Sequence, residues 1–263
     1  MNTAIEWLEC AWLNPFDSDA ARAHSSYNGL HDGELVPLLE TAPAKPFARV
    51  ANDAFRAFVL DDGFSCLGAK SSLRRETYRI GAYARLDDPA VTEGLARDLY
   101  AFAAERRGFE GDFTTFIAVF REREHDGEEA FERALWSQLQ RLHDLDARYH
   151  PWDARVSADP QDPRFSFSVA GNAFFVVGLH PSASRASRRF AWPTLVFNAH
   201  EQFEQLRADG RFAGLQSQIR KRELRLEGAL NPNLADYGHH SEARQYSGRP
   251  TAETWQCPFK AKP

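Results

Sequence analysis

The chain has 263 residues, a net charge of −5 and an aromatic content of 13%, which suffices for one large domain with a substantial buried core. The acidic balance argues against nucleic acid as the main partner, and no apolar run approaches the roughly 20 residues of a membrane span. Three cysteines without a CxxC pair, and an N-terminus without the features of a signal peptide, favour a reducing, cytoplasmic location over a disulfide framework or structural zinc.

The first 45 residues are interrupted by Asn-Pro, Asn-Gly and several prolines, and we expect an irregular segment packed on the domain. Residues 51–63 predict a short helix or strand, and FSCLGAKSSL (64–73) predicts a turn leading into a helix. Apolar spacing predicts helices over 91–108 and 127–150, with a strand rich in aromatic and β-branched residues, FTTFIAVF, between them.

RFSFSVAGNAFFVVGLH (164–180) shows two strand patterns around an Ala-Gly-Asn turn and predicts an antiparallel hairpin. Two helices that end at Gly210 and Gly228 follow, and then a loop-rich tail from Asn231. No Pro- or Gly-rich linker divides the chain. The order of elements predicts a single α+β domain over residues 1–263, with a mostly antiparallel sheet flanked by helices.

The segment from His180 to His200 places a histidine at the end of an apolar strand and then three arginines, Arg185, Arg188 and Arg189. A titratable imidazole beside fixed positive charge suits a pocket for a flat apolar ligand with anionic groups, and heme fits that description. The arginines would pair with the two propionates. The structural alternatives are a histidine that caps a strand end and arginines on a solvated surface.

Cys66 lies in a turn between Gly63 and Gly68 that precedes a helix, where a thiolate is favoured. A thiolate is also a heme ligand, and it suits oxygenase chemistry. The alternative is a small buried core residue, since that is what most free cysteines are. Whether Cys66 or His180 is the proximal ligand stays open at this point.

The tail run DYGHHSEARQYSGR is dense in hydrogen-bonding side chains. Asp236 or Glu242 could receive a cationic group of a substrate, and Arg244 could receive a carboxylate. The alternative is an exposed polar tail. The chain has no nucleotide-binding glycine motif and no serine-hydrolase or zinc-protease motif.

Blocks along residues 64–259 resemble the YqcI/YcgG family: FSCLGAKSSL, LWSQLQRLHDLDA, the long run from VSADPQDP to NAHEQFEQLR, and NPNLADYGHHSEARQYSGRPTAETWQCPF. Members that have been given a function resemble heme-dependent N-oxygenases that act on guanidino or amino groups of amino acids, arginine-like substrates among them. The resemblance implies heme b, with His180 on the iron. Two departures stand out, because the family usually has Pro and Val around Cys66, and Phe and Glu at positions 237 and 239.

We therefore expect a heme-dependent oxidoreductase, of monooxygenase or peroxygenase type, that hydroxylates a nitrogen of a small cationic amino-acid-like substrate. It would use dioxygen with an electron donor, or peroxide, and a homodimer is one expectation about assembly. The alternatives are a non-enzymatic heme carrier, sensor or gas binder, and an interaction protein without a cofactor. The predicted catalytic residues are Glu242, Asp236 and Arg244. The predicted cofactor-binding residues are His180, Ser184, Arg185, Arg188, Arg189, Phe175, Phe197, Lys70 and Cys66.

Overall fold

A computed structural model of the chain describes residues 14–123, 126–233 and 240–262. Within these ranges seven strands form one sheet in the order β2-β1-β3-β4-β7-β6-β5. Only the pair β3–β4 is parallel, so the fold is α+β with a mostly antiparallel sheet, as the sequence predicts. The strands are β1 (Asn28–His31), β2 (Glu34–Pro37), β3 (Tyr78–Tyr83), β4 (Thr115–Phe120), β5 (Phe167–Val169), β6 (Asn172–Leu179) and β7 (Thr194–Ala199).

Eight α-helices accompany the sheet in the described residues. They are α1 (Asp19–His24), α2 (Pro46–Leu60), α3 (Leu67–Arg74), α4 (Pro89–Glu105), α5 (Gly127–Asp146), α6 (His200–Ala208), α7 (Phe212–Glu227) and α8 (Ala243–Tyr246). Local chemistry fixes their ends. Asp88 accepts hydrogen bonds from the first backbone N–H groups of α4, and Gly228, at φ +74°, ends α7 in the left-handed conformation.

The predicted hairpin over residues 164–180 forms as β5 and β6, and FTTFIAVF forms β4. The segment 51–63, predicted as a helix or a strand, lies largely in α2. The first 45 residues are more regular than expected, because their described part holds α1 and the hairpin β1–β2, which extends the sheet at one edge. No helix among the described residues combines the length and apolarity needed to cross a bilayer.

The alternation of β4 divides the core into two layers, since successive side chains of a strand point to opposite faces. Phe116 and Phe120 pack in a cluster with α4 and α5. Ile117 and Val119 pack in a second cluster with α2. We call these two sides of the sheet the α5 face and the α2 face.

The same alternation continues along β6. Phe174 and Val176 belong to the α5-face cluster, whereas Val177 and Leu179 pack on the α2 face. Gly178 allows α5 to approach closely, since a Cβ at that position would lie 2.7 Å from a ring carbon of Phe131. The strand therefore presents neighbouring residues to two different environments.

Candidate functional site

A cavity of about 270 Å³, partly open to solvent, lies at the edge of the α2-face cluster and is lined by α3, α6, α7 and the side of β6 that faces α2. This volume is close to the lower end of the range for small-molecule sites, about 300–1,000 Å³. Most of the lining is apolar. Its apolar side chains include Phe113, Phe175, Val177, Phe203, Leu215 and Ile219.

Helix α7 covers this cavity instead of packing on the core. Among its residues only Glu223 is buried. Phe212, Leu215 and Ile219 follow one face of the helix at spacings of three and four residues, and all three line the cavity. The inner face of α7 is therefore apolar and meets a hollow that a ligand can fill.

Cys66 lines the cavity at the N-terminus of α3. Its Sγ accepts a hydrogen bond from the backbone N–H of Ala69 at 3.5 Å. Burial raises the pKa of the thiol, while the backbone N–H groups of Ala69 and Gly68 and the charge of Arg188 act in the opposite direction. The protein thus holds a desolvated thiol with partial compensation for the thiolate form.

The loop before Cys66 is held by two cations. Lys70, which is buried, donates from Nζ to the carbonyl of Asp61 at 2.6 Å. Arg222 of α7 donates to the carbonyls of Asp62 and Phe64, the latter at 3.1 Å. Lys70 is not among the residues that line the cavity, and its contacts make it a support of the backbone that carries Cys66.

His180 lies away from the cavity. It directly follows Leu179, the last residue of β6. The alternation of the strand therefore turns its side chain toward the α5 face, opposite to that of Val177. The ring is 1% exposed and stacks on Phe131, with 4.3 Å between the ring centroids. Phe197, another predicted cofactor contact, is likewise fully buried in the α5-face cluster, whereas Phe175, also a predicted cofactor contact, lines the cavity.

The three predicted propionate partners all bind groups of the protein. Arg185 donates to Glu223 and to the carbonyl of Ala229 at 2.8 and 2.9 Å. Arg188 donates to the backbone carbonyls of Gly178 and Gln245 at 3.0 and 3.1 Å.

Arg189 donates to the backbone carbonyls of Ala183 and Ser184 at 2.8 and 2.7 Å. Ser184 itself donates to Glu128 from its backbone N–H and from its hydroxyl. These contacts fix the loop after β6, and none of its three arginines lines the cavity.

Glu242, one of the predicted substrate contacts, lines the cavity. The residue is 7% exposed, and its Oε1 accepts a hydrogen bond from the hydroxyl of Tyr246 at 2.6 Å. Burial raises the pKa of this carboxyl to about 8, because the hydrogen bond from Tyr246 offsets only part of the desolvation.

The other two predicted substrate contacts lie elsewhere. Arg244 does not line the cavity, and its guanidinium donates to the backbone carbonyls of Ala252, Glu253 and Trp255, which positions the C-terminal segment. Asp236 falls outside the described residues, as do Tyr237 and His239.

Sequence reasoning did not assign several polar residues of the cavity to this site. His200 opens α6, is buried, and has a pKa lowered by that burial, so its imidazole is neutral at pH 7. Arg207, Arg220 and Glu223 reach the same cavity from α6 and α7. For Arg220 and Glu223, the helical spacing from Phe212 to Glu223 was the feature of the sequence that could have indicated a shared face.

Among the described residues no group of three or more His, Cys, Asp or Glu side chains could hold a metal ion by itself.

Comparison with known proteins identifies relatives of this chain. The model of the YqcI/YcgG family matches residues 55–260, which include every described residue that lines the cavity. The chain is 25% identical over 208 residues to "Uncharacterized protein YcgG" of Bacillus subtilis (strain 168), a match that covers 75% of this chain and 81% of that protein. No solved structure matches the chain.

Proposed function

The chain belongs to the YqcI/YcgG family, and we propose that it is a heme-dependent N-oxygenase of a small amino-acid-like substrate with an amino or guanidino nitrogen. The observation that carries this proposal is the position of Cys66, a half-buried thiol at the N-terminus of a helix in the wall of an apolar cavity. Thiolate ligation is the form of heme attachment that suits oxygenase chemistry.

The residues around Cys66 fit a thiolate bound to a metal. The N-terminus of α3 favours negative charge. The positive charge of Arg188, a half-buried side chain that donates to the backbone carbonyls of Gly178 and Gln245, also lowers the pKa of the Cys66 thiol and so favours the thiolate. Because the thiol must lose its proton to bind iron, heme uptake should release a proton and weaken at acidic pH. We therefore assign the iron ligand to Cys66 in place of His180.

Other residues of the cavity have complementary tasks. Arg207, which also pairs with the half-exposed Glu204, and Arg220 both line the cavity, unlike the three arginines after β6. Because guanidinium groups pair with carboxylates, we assign the heme propionates or the carboxylate of the substrate to Arg207 and Arg220. Glu242 lies in the same wall and can hold a substrate cation. When bound, heme would supply the oxidation of the substrate nitrogen, with dioxygen and electrons or with peroxide.

The test is the visible spectrum of protein expressed with a heme precursor, in the ferric, ferrous and ferrous–CO forms. Wild type should show the long-wavelength ferrous–CO band of thiolate ligation, and Cys66→Ser should lose it. His180→Ala should keep it. Cys257→Ser is the matched control, because Cys257 is a second free thiol, which is buried and does not line the cavity.

Three outcomes would contradict the proposal, each at a different level. A fully loaded Cys66→Ser protein with unchanged spectra would make the ligand assignment wrong. A wild-type protein that gains no Soret band on titration with hemin would remove the cofactor itself. Incubation of loaded protein with lysine, arginine and related amines, under each oxidant, then asks for products with one added oxygen. Their complete absence would leave a heme-binding role without N-oxygenation.

A further inference from the structure

Glu242 is the one carboxyl in the described cavity wall whose pKa burial raises to the neutral range. Its Oε1 is engaged by the hydroxyl of Tyr246, whose own ring stacks on Trp136 in the core at 5.4 Å between ring centroids. Tyr246 is fully buried and also accepts a hydrogen bond from the backbone N–H of Phe167. Rigid neighbours therefore fix one oxygen of the carboxyl.

The hydrogen bond to Oε1 of Glu242 affects which kind of cation this carboxyl can recognise. A guanidinium binds a carboxylate best through two parallel hydrogen bonds, one to each oxygen. An ammonium is a compact charge that needs a single oxygen. With Oε1 held by Tyr246, the carboxyl of Glu242 suits an ammonium better than a guanidinium.

The cavity wall holds other charged and titratable groups, of which Arg207 acts on Glu242 itself, because its positive charge lowers the pKa of that carboxyl. They are Cys66 on α3, His200 and Arg207 on α6, Arg220 and Glu223 on α7, and His240 before α8. Glu223 is already paired with Arg185 at 2.8 Å. Burial lowers the pKa of His200 and raises that of Cys66, so neither carries a charge at pH 7 in the absence of a ligand. A cation in the cavity must therefore find its counter-charge at Glu242.

We propose that the cavity selects a primary ammonium group over a guanidinium, and that entry of the ammonium expels the proton of Glu242 to solvent. The carboxyl becomes a carboxylate, the ligand stays an ammonium, and the released proton balances the change. The inference rests on the proposed function only in regarding this cation as part of the substrate. It narrows the substrate class to amines.

The coupling between ammonium binding and pH has a definite direction. With a pKa of about 8, about 0.9 of the Glu242 carboxyls carry a proton at pH 7, so binding should release about 0.9 proton. The affinity for the ammonium should then rise about tenfold per pH unit up to pH about 8, and level off above that value.

The experiment uses n-butylammonium and n-butylguanidinium as probes of equal chain length, with 1-butanol as the uncharged control. Isothermal titration calorimetry at pH 7 in buffers of different ionisation enthalpy counts the protons released, for the heme-loaded and the heme-free protein. Wild type should bind butylammonium more tightly than butylguanidinium and release the proton only with the cations. Glu242→Gln, which is nearly isosteric, should lose the release and the pH dependence but keep the affinity for 1-butanol.

Tyr246→Phe provides a second, independent variant. It frees Oε1 of Glu242, so the preference for butylammonium should narrow while the proton release persists. The inference would be overturned if wild type bound neither cation, or if it bound the two cations with equal affinity. It would also be overturned if proton release did not depend on Glu242. Glu242-dependent release in a protein that takes up no heme would refute the proposed function alone. A thiolate-type heme spectrum without proton release would refute this inference alone.

Discussion

Glu242→Gln should stabilise the protein, and the gain should grow with pH. The folded pKa, about 8, lies above the ordinary value of 4.5, so the folded state binds more protons than the unfolded state between these values, and stability falls as pH rises through that window. Ionisation of Glu242 therefore lowers the free energy of unfolding of the wild type, relative to strongly acidic solution, by about 1 kcal/mol at pH 5, about 3 kcal/mol at pH 7 and about 4 kcal/mol at pH 8. Glutamine avoids this loss, because it carries no charge and can still accept the hydrogen bond from Tyr246.

Urea denaturation at pH 5, 6, 7 and 8 measures the free energy of unfolding of both proteins. Glu253→Gln is the matched control, because this glutamate is exposed, and its difference from wild type should stay within about 0.5 kcal/mol at every pH. A difference between Glu242→Gln and wild type that does not change with pH would refute the reasoning. It would mean that the carboxyl is as well solvated in the folded protein as in the unfolded chain.

Two further predictions concern the scaffold. Gly178→Ala should lower the free energy of unfolding by about 1–3 kcal/mol, because the new methyl group would lie 2.7 Å from Phe131. Gly214→Ala should instead raise it by up to about 1 kcal/mol, because Gly214 lies in the exposed part of α7 and a Cβ there would meet no atom within 4 Å. Equal urea midpoints for the two variants would contradict this prediction. Asp88→Ala should cost about 1 kcal/mol, because Asp88 accepts hydrogen bonds from two N–H groups at the start of α4. Asp126→Ala is its control, since Asp126 precedes α5 without such a bond; a thermal midpoint that falls as much as in Asp88→Ala would count against the capping argument.

The sequence predicts the elements of this fold better than their placement. Local patterns were sufficient for β4, for the hairpin β5–β6 and for α5, because hydrophobic periodicity and turn residues are local properties. The parallel pairing of β3 with β4 depends on which strands meet after collapse, and nothing local encodes it. The hairpin β1–β2 was hidden among the prolines and turn residues of the first 45 positions.

For the candidate site too, the sequence predicts local patterns better than the placement of residues in space. The alternation of AFFVVGLH was visible in the sequence, and it already separates Val177 from His180. It does not say which side of the sheet is filled by α5 and which side borders a cavity. The burial of Glu242 was equally invisible, because a glutamate in a polar run gives no sign of the aromatic residues that surround it in space. The position of Cys66 before a helix was also visible in the sequence, but the sequence did not show that its thiol lines this cavity.

The central position of β4 has a consequence for synthesis on the ribosome. Both faces of this strand are buried, and its antiparallel partner β7 follows about 80 positions later, as the contact of Thr115 with Phe197 across 82 positions illustrates. At a synthesis rate of about 5–20 residues per second, a nascent chain carries this apolar strand without β7 for roughly 4–16 s. During that interval one of its edges can pair with other chains, so we expect the yield of folded protein to depend on chaperones and on expression temperature.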